Sequence, residues 1–447
     1  MENSKIEPIR QECTIAVCGP VDAGKSSLIG VLTSGEFDDG RGLARNKILV
    51  HPHERETGRT SHISYNPLVY NRKDDSTISL FNVKENKQSV EIKTRSINKW
   101  STKVTSFIDL AGHEKYLKTT IFGVTGMFPD YGIVVIGANT GITKLTKEHI
   151  GILLYLNIPF IITITKIDMA PKEVYQNLCN QLKKLLGKAT FKKILYFINN
   201  DKETDDYVDT MLGNPDIIPI ISISNKTGIN ITNLHQILYH LPKREKWDAI
   251  QGSIFYIDAT FLVPGIGLVV SGTNKGKEIG IRQKMYLGPF TGINSIDETE
   301  AKFEFKEVTV RSIHNSLSEN VDIAGSNLQS TLAIKLTNSK EVLDRKQIRK
   351  GMVLIDNIDK FKDYVTRKFK AKINILHHTT TIKSGYAPVI HCGPIRQSAS
   401  ITLNNQILRN GDTCEVEFEF KYYPEFLEKN MVFFFRDGTT KGVGNVI

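Results

Sequence analysis

The chain has 447 residues, a formal net charge of +10, 40% hydrophobic and 24% charged residues. That is an ordinary globular composition with room for about two to four domains. It contains no apolar run long enough to cross a bilayer, and the opening MENSKIEPIRQE lacks the apolar core of a secretory signal. The five cysteines are scattered and odd in number, which fits reduced thiols and a cytoplasmic protein. The basic surplus forms no tail or dense cluster. It permits an RNA partner without demanding one.

Cys13 to Gly19 reads CTIAVCG, a short apolar run that predicts a strand buried on both faces. Cys13 and Cys18 fall on opposite faces of it, which argues against a shared metal. Next comes GPVDAGKSS, Gly19 to Ser27, two glycines with four residues between, then Lys and Ser. This is the phosphate-loop pattern. A helix is predicted over Ser26 to Thr33, with Gly35 as its stop. Backbone N–H groups of Gly19, Asp22, Ala23, Gly24 and Ser27 would then face a triphosphate, with Lys25 on the β- and γ-phosphates and Ser26 on Mg²⁺.

The stretch from Gly40 to Ser64 predicts a mobile switch, with Thr60 as the second hydroxyl ligand for the metal. His51, His53 and His62 lie in it at spacings that match no strong ligand pattern. The polar segment from Tyr65 to Ser101 is a candidate hairpin or surface loop. TSFIDL predicts a second buried strand, ending in DLAGHEKY from Asp109. An Asp at a strand end, three residues before a Gly, suits a sensor of metal and γ-phosphate. Asp109 would hold the metal through water, Gly112 would donate its N–H, and His113 would orient an attacking water.

Further buried strands are predicted at Tyr131 to Ala138, Pro159 to Lys166 and Asp216 to Ser224, with helices at Val174 to Leu186 and Asn233 to Leu241. This alternation is that of a doubly wound α/β sheet. TKID, Thr165 to Asp168, has Thr where a guanine-reading element more often has Asn. Asp168 accepts from guanine N1–H and the exocyclic amine, a pair adenine does not offer. Lys166 would cover the base plane. Ser224, Asn225 and Lys226 would close the base pocket. Leu241 to Ser253 is a polar linker. From Ile254 onward short β-branched and aromatic runs separated by turns predict one all-β barrel, a break near Asp356 to Lys362, and a second β block.

With these motifs in place the chain resembles the translational GTPases of the elongation factor Tu and elongation factor 1-alpha superfamily over nearly its whole length. GPVDAGKSSL, ETGRTS, DLAGHEKYLKTT, TKID and VPGIGLVVSGTNKGKEIG carry the likeness. GEFDDGRGLAR, HEKYLKTTIFGVTG and HCGPIRQSASI are closer still to the eukaryotic GTP-binding protein 1 and 2 family. The resemblance implies a GTPase domain (1–248) followed by β-barrels II (249–358) and III (359–447), and a GTPase that uses GTP/GDP and Mg²⁺. It implies a ribosome and aminoacyl-tRNA as partners, with the aminoacyl end between the GTPase domain and the first barrel. Neither DNA nor a membrane is expected as a partner, and a monomer is. Hydrolysis is expected to be slow until a partner stimulates it. The rival readings are a GTP-dependent adaptor in RNA decay and a regulatory GTPase subunit of an enzyme complex. One departure stands out: Arg59 occupies a position where an apolar residue is usual, across from Val21.

Overall fold

A computed structural model describes residues 10–49, 54, 60, 63–74, 76–93, 102–187, 192–244, 247, 252–291, 303–337, 343–404, 406–438 and 440–447. Backbone contacts divide the chain into two compact units. One holds residues 1–124 and 129–244, the other 125–128 and 245–447.

The first unit is a nine-stranded mixed sheet flanked by helices. Its strands are β1 (Arg10–Cys18), β2 (Ser64–Arg72), β3 (Thr77–Asn82), β4 (Lys87–Lys93), β5 (Thr102–Asp109), β6 (Tyr131–Gly137), β7 (Phe160–Thr165), β8 (Ile194–Ile198) and β9 (Ile217–Ser222). Their order is β4-β3-β2-β5-β1-β6-β7-β9-β8. The six strands from β5 to β8 in that order are parallel. The other three form an antiparallel meander joined through β2 to β5. In its described residues the segment expected as a hairpin or surface loop is this meander. Strands β6 and β7 are buried at every position, as a parallel sheet covered on both faces requires.

The helices are α1 (Lys25–Ser34), α2 (Leu43–Asn46), α3 (Leu117–Thr125), α4 (Lys144–Tyr155), α5 (Lys172–Leu186), α6 (Asp201–Thr210) and α7 (Ile231–His240). Leu178, Leu182 and Leu186 bury one stripe of α5, at the four-residue spacing of a core-facing face. Lys103 on β5 is wholly buried. Its ammonium donates to the carbonyls of Tyr239 (2.9 Å) and Leu241, two acceptors that the end of α7 leaves open. Burial pulls that ammonium down to about 8.

The second unit contains two closed rings of six strands. In the first, Lys284–Thr291, Val353–Ile355, Ser253–Val263, Gly267–Gly276, Gln329–Leu336 and Phe303–His314 follow one another, and the last pairs with the first. Phe255, Ile257, Val270, Leu287, Val308 and Leu332 fill its interior. The second ring runs Lys368–His377, Thr413–Phe420, Ile395–Thr402, Val389–Cys392, Val432–Asp437 and Thr440–Val446. Its core is aromatic: Phe369 stacks on Phe418 with centroids 5.3 Å apart, and Phe433 stands edge-on to both. Lys275 pairs with Glu428 at 2.7 Å and Arg349 with Glu425, which joins the rings through largely buried ion pairs.

Candidate nucleotide site

Four of the motifs singled out in the first unit sit at the carboxyl ends of parallel strands, which is where open α/β sheets bind ligands. The phosphate loop leaves β1, Asp109 ends β5, Thr165 ends β7, and Ser224 lies just past β9. Register places these ends level with one another. Val17 pairs with Asp109, and Leu110 N–H donates to the Val17 carbonyl at 3.2 Å. Ile164 pairs with Ser222.

The loop from Gly19 turns through Asp22 (φ 60°), which is exposed, and Gly24 (φ 88°), which caps α1. Ala23 is buried, and Ser26 and Ser27 lie in the first turn of α1. Lys25 is buried and its ammonium donates to the Pro20 carbonyl at 2.9 Å. Burial pulls it below the ordinary lysine value, against the charges of Asp109, Cys18 and Asp22. Gly112 packs directly on this loop. A Cβ there would lie 2.9 Å from the Gly19 carbonyl oxygen and closer still to the Lys25 ammonium. Only a residue without a side chain brings the Gly112 backbone so near.

Beside Lys25, three oxygens converge. The Ser26 hydroxyl donates to Asp109 Oδ2 at 2.7 Å, Thr60 donates to the same oxygen at 2.9 Å, and the two hydroxyls are 2.9 Å apart. Asp109 is fully buried, and its second oxygen, Oδ1, has no partner. Burial pushes its carboxyl upward; Lys25 and the two hydroxyls oppose this, and the nearby Glu54 charge adds to it. A buried carboxylate oxygen with no partner beside two hydroxyls is an all-oxygen donor set, which suits a small hard cation. Thr60 thus comes to Ser26 and Asp109 across 34 and 49 residues of sequence. Arg59, His51, His53 and His62 lie outside the described residues, so the Arg59–Val21 question lies there too.

At the other end, Thr165 is buried and its hydroxyl donates to the Ala23 carbonyl at 2.6 Å. The Thr-for-Asn departure therefore keeps a brace between β7 and the phosphate loop. Lys166 adopts φ 60°, and a bond from Met169 N–H to its carbonyl (3.1 Å) closes the turn that presents Asp168 to solvent. Ser224 is buried, and its hydroxyl accepts from Thr227 N–H at 3.1 Å. The Asn225 carbonyl accepts from Asp38 N–H at 2.8 Å, and Lys226 is exposed.

His113 stands apart from this cluster. It is exposed, its Nδ1 accepts from Lys115 N–H at 3.1 Å, and its ring meets Tyr116 edge-on with centroids 6.2 Å apart. Sequence reasoning also missed residues that the structure brings to the site. Asp38, Gly40, Arg41, Gly42 and Arg45 line the same cavity as Gly24, Lys25, Ser26 and Lys166. The glycine alternation in DGRG was the available signal, since Gly40 and Gly42 both take positive φ (82° and 102°).

Fold and site together define a phosphate-loop GTPase-type α/β unit followed by two β-barrels. The model of the elongation factor Tu GTP binding domain matches residues 10–243, and the chain belongs to that family. It is 38% identical over 438 residues to GTP-binding protein 1 of Xenopus laevis, covering 97% of this chain and 63% of that protein. It is 34% identical to GTP-binding protein 2 of Homo sapiens, covering 97% and 68%. The chain thus spans about two thirds of the length of these relatives. A bacterial selenocysteine-specific elongation factor, EF-Sec, shares the fold with a TM-score of 0.63 at 18% identity, over 97% of this chain and 58% of that one.

Proposed function

We propose that the protein binds and hydrolyses GTP as an elongation-factor-like GTPase acting in translation, through aminoacyl-tRNA delivery or ribosome surveillance. The observation that carries the nucleotide half of this reading is the meeting of Ser26, Thr60 and Asp109 beside Lys25. Family membership and the elongation-factor neighbours support the translational half. The division at 1–248, 249–358 and 359–447 is part of the proposal.

In this reading the loop amides from Gly19 to Ser27 and the Lys25 ammonium hold the β- and γ-phosphates. Ser26 and Thr60 would hold Mg²⁺ directly and Asp109 through water, and the metal would supply charge neutralisation at the phosphates. The Gly112 N–H donates to the γ-phosphate, which ties the segment after β5 to the presence of that group. Asp168 reads the guanine edge, Lys166 covers the base, and Ser224, Asn225 and Lys226 close the pocket. His113 orients the attacking water once a partner has moved its ring away from Lys115 N–H.

Intrinsic hydrolysis in such GTPases is on the order of 10⁻⁴ s⁻¹. A stimulated gain of ~10⁵ is about 7 kcal/mol off the barrier. The test is GTP turnover with and without ribosomes, and with and without aminoacyl-tRNA. Ribosomes should raise turnover by orders of magnitude. Turnover indifferent to them would sink the translational reading while leaving GTP binding intact.

The brace gives a separate expectation. Thr165→Ala removes a buried hydrogen bond that holds the phosphate loop, a loss of about 1–2 kcal/mol. Affinity for GTP and GDP should fall together by roughly tenfold in a fluorescent-nucleotide titration. Unchanged affinity for both would show that the loop holds its shape without Thr165.

A further inference from the structure

The nucleotide cavity has a wall outside the phosphate loop that none of the nucleotide motifs explains. Asp38, Gly40, Arg41, Gly42 and Arg45 build it, and the fold holds this segment firmly. Asp38 Oδ1 accepts from Ala44 N–H at 2.9 Å, and Asp39 Oδ1 from Arg41 N–H at 2.7 Å and Leu43 N–H at 3.1 Å. The turn of α2 packs on α1 backbone to backbone: a Cβ on Gly30 would meet the Ala44 carbonyl carbon at 2.6 Å. The first part of the expected mobile switch is therefore a packed turn.

Arg45 lies across Gly42. A Cβ on Gly42 would stand 2.8 Å from Arg45 Cζ and 3.0 Å from Nη2, so the glycine makes room for the guanidinium. Arg45 Nε is buried with no hydrogen-bond partner, an arrangement that costs free energy unless a ligand accepts from it. Among the described residues no ion pair engages Arg41 or Arg45. The cavity lining holds four cations, Lys25, Arg41, Arg45 and Lys166, against two carboxylates, Asp22 and Asp38. Guanidinium forks match phosphate oxygens in pairs.

The lining also says which phosphates. It runs from Lys25 and Ser26 of the phosphate loop to the base-side Lys166. The arginines therefore line the stretch between the phosphate loop and the base side, where the diphosphate of a bound nucleotide would lie. Resting on the reading that this cavity takes a guanine nucleotide, we propose that Arg41 and Arg45 clamp the diphosphate common to GDP and GTP together with the phosphate loop. By doing so they set the residence time of both nucleotides.

The test is the dissociation rate of mant-GDP and mant-GppNHp from the full chain, chased with unlabelled nucleotide. Arg41→Gln, Arg45→Gln, the double variant and Gly42→Ala are compared with the wild type. The double variant should release both nucleotides faster by a similar factor, about 10–100-fold. Gly42→Ala should move both rates in the same direction by displacing Arg45 without removing its charge. Arg41 is exposed, so Arg41→Gln keeps the fold and decides the matter if Arg45→Gln does not fold. Wild-type release rates in a folded double variant overturn the clamp. Faster release of mant-GppNHp alone overturns it as well, by assigning the arginines to the γ-phosphate. A wild-type chain that binds neither label removes the nucleotide reading itself, a failure separable from that of the clamp.

Discussion

Asp168→Asn is expected to turn a guanine site into a xanthine site. In the proposed reading the carboxylate accepts two hydrogen bonds from guanine, each worth about 1.5–3 kcal/mol because the acceptor is charged. The amide keeps one acceptor and turns the other contact into donor against donor at the exocyclic amine. GTP affinity should fall by roughly 10²–10⁴-fold, and XTP, with a carbonyl at that carbon, should bind in its place. The backbone that presents Asp168 is held from two sides, by the Met169–Lys166 turn and by Ile167 N–H donating to the Ile223 carbonyl at 3.5 Å. The substitution therefore changes what is read and leaves the reading frame in place. Competition of GDP against XDP for a fluorescent probe measures it. A variant that still prefers guanine removes Asp168 from the base site.

His113→Ala is expected to leave nucleotide affinity within about twofold, because among the described residues the ring's hydrogen-bond and aromatic partners are Lys115 N–H and the Tyr116 ring. Partner-stimulated turnover should fall by about 10²–10⁴-fold, the range for losing one positioned acid–base or water-orienting group. The pair of results matters more than either alone. A drop in affinity would mean the turn after Gly112 had collapsed. Surviving stimulated turnover would mean another group orients the water. Single-turnover hydrolysis with ribosomes present, run beside an equilibrium titration, separates the cases.

The legible parts of the site were those whose chemistry is local in sequence. The phosphate loop, DLAG and TKID each lie within a few residues of the strand that carries them, so motif and context could be read together. Thr60 was legible only as an order of motifs, since its partners are far along the chain. The Thr165 brace depends on how far a hydroxyl on β7 stands from the Ala23 carbonyl, a distance no pattern encodes. In the fold, β8 went unread because it is five residues long at the sheet edge, with Ile194 mostly exposed. Helix α6, DKETDDYVDT, buries only Thr204 and Tyr207, so it has no apolar stripe to find. Its start is set by the Asn200 cap. The wall of Arg41 and Arg45 was hidden inside a segment read as a single switch. Its two positive-φ glycines split it into a packed turn followed by the stretch that carries Thr60.

The last ring of the second unit closes in an unusual way. Phe433 faces Gly444 and Phe435 faces Gly442 directly across the seam between its final two strands. A Cβ on Gly444 would lie 2.9 Å from Ile373 Cγ2 as well as against the Phe433 ring, and one on Gly442 would run into the Phe435 ring. At these two positions the final strand contributes bare backbone, and the aromatic plates of its neighbour roof it. Its attachment therefore depends on rings carried by the strand before it. Amide hydrogen exchange should find Thr440–Val446 opening before Thr413–Phe420. Even an alanine at either glycine should act less like a side-chain change than like a broken seal, wetting the phenylalanine cluster from one side.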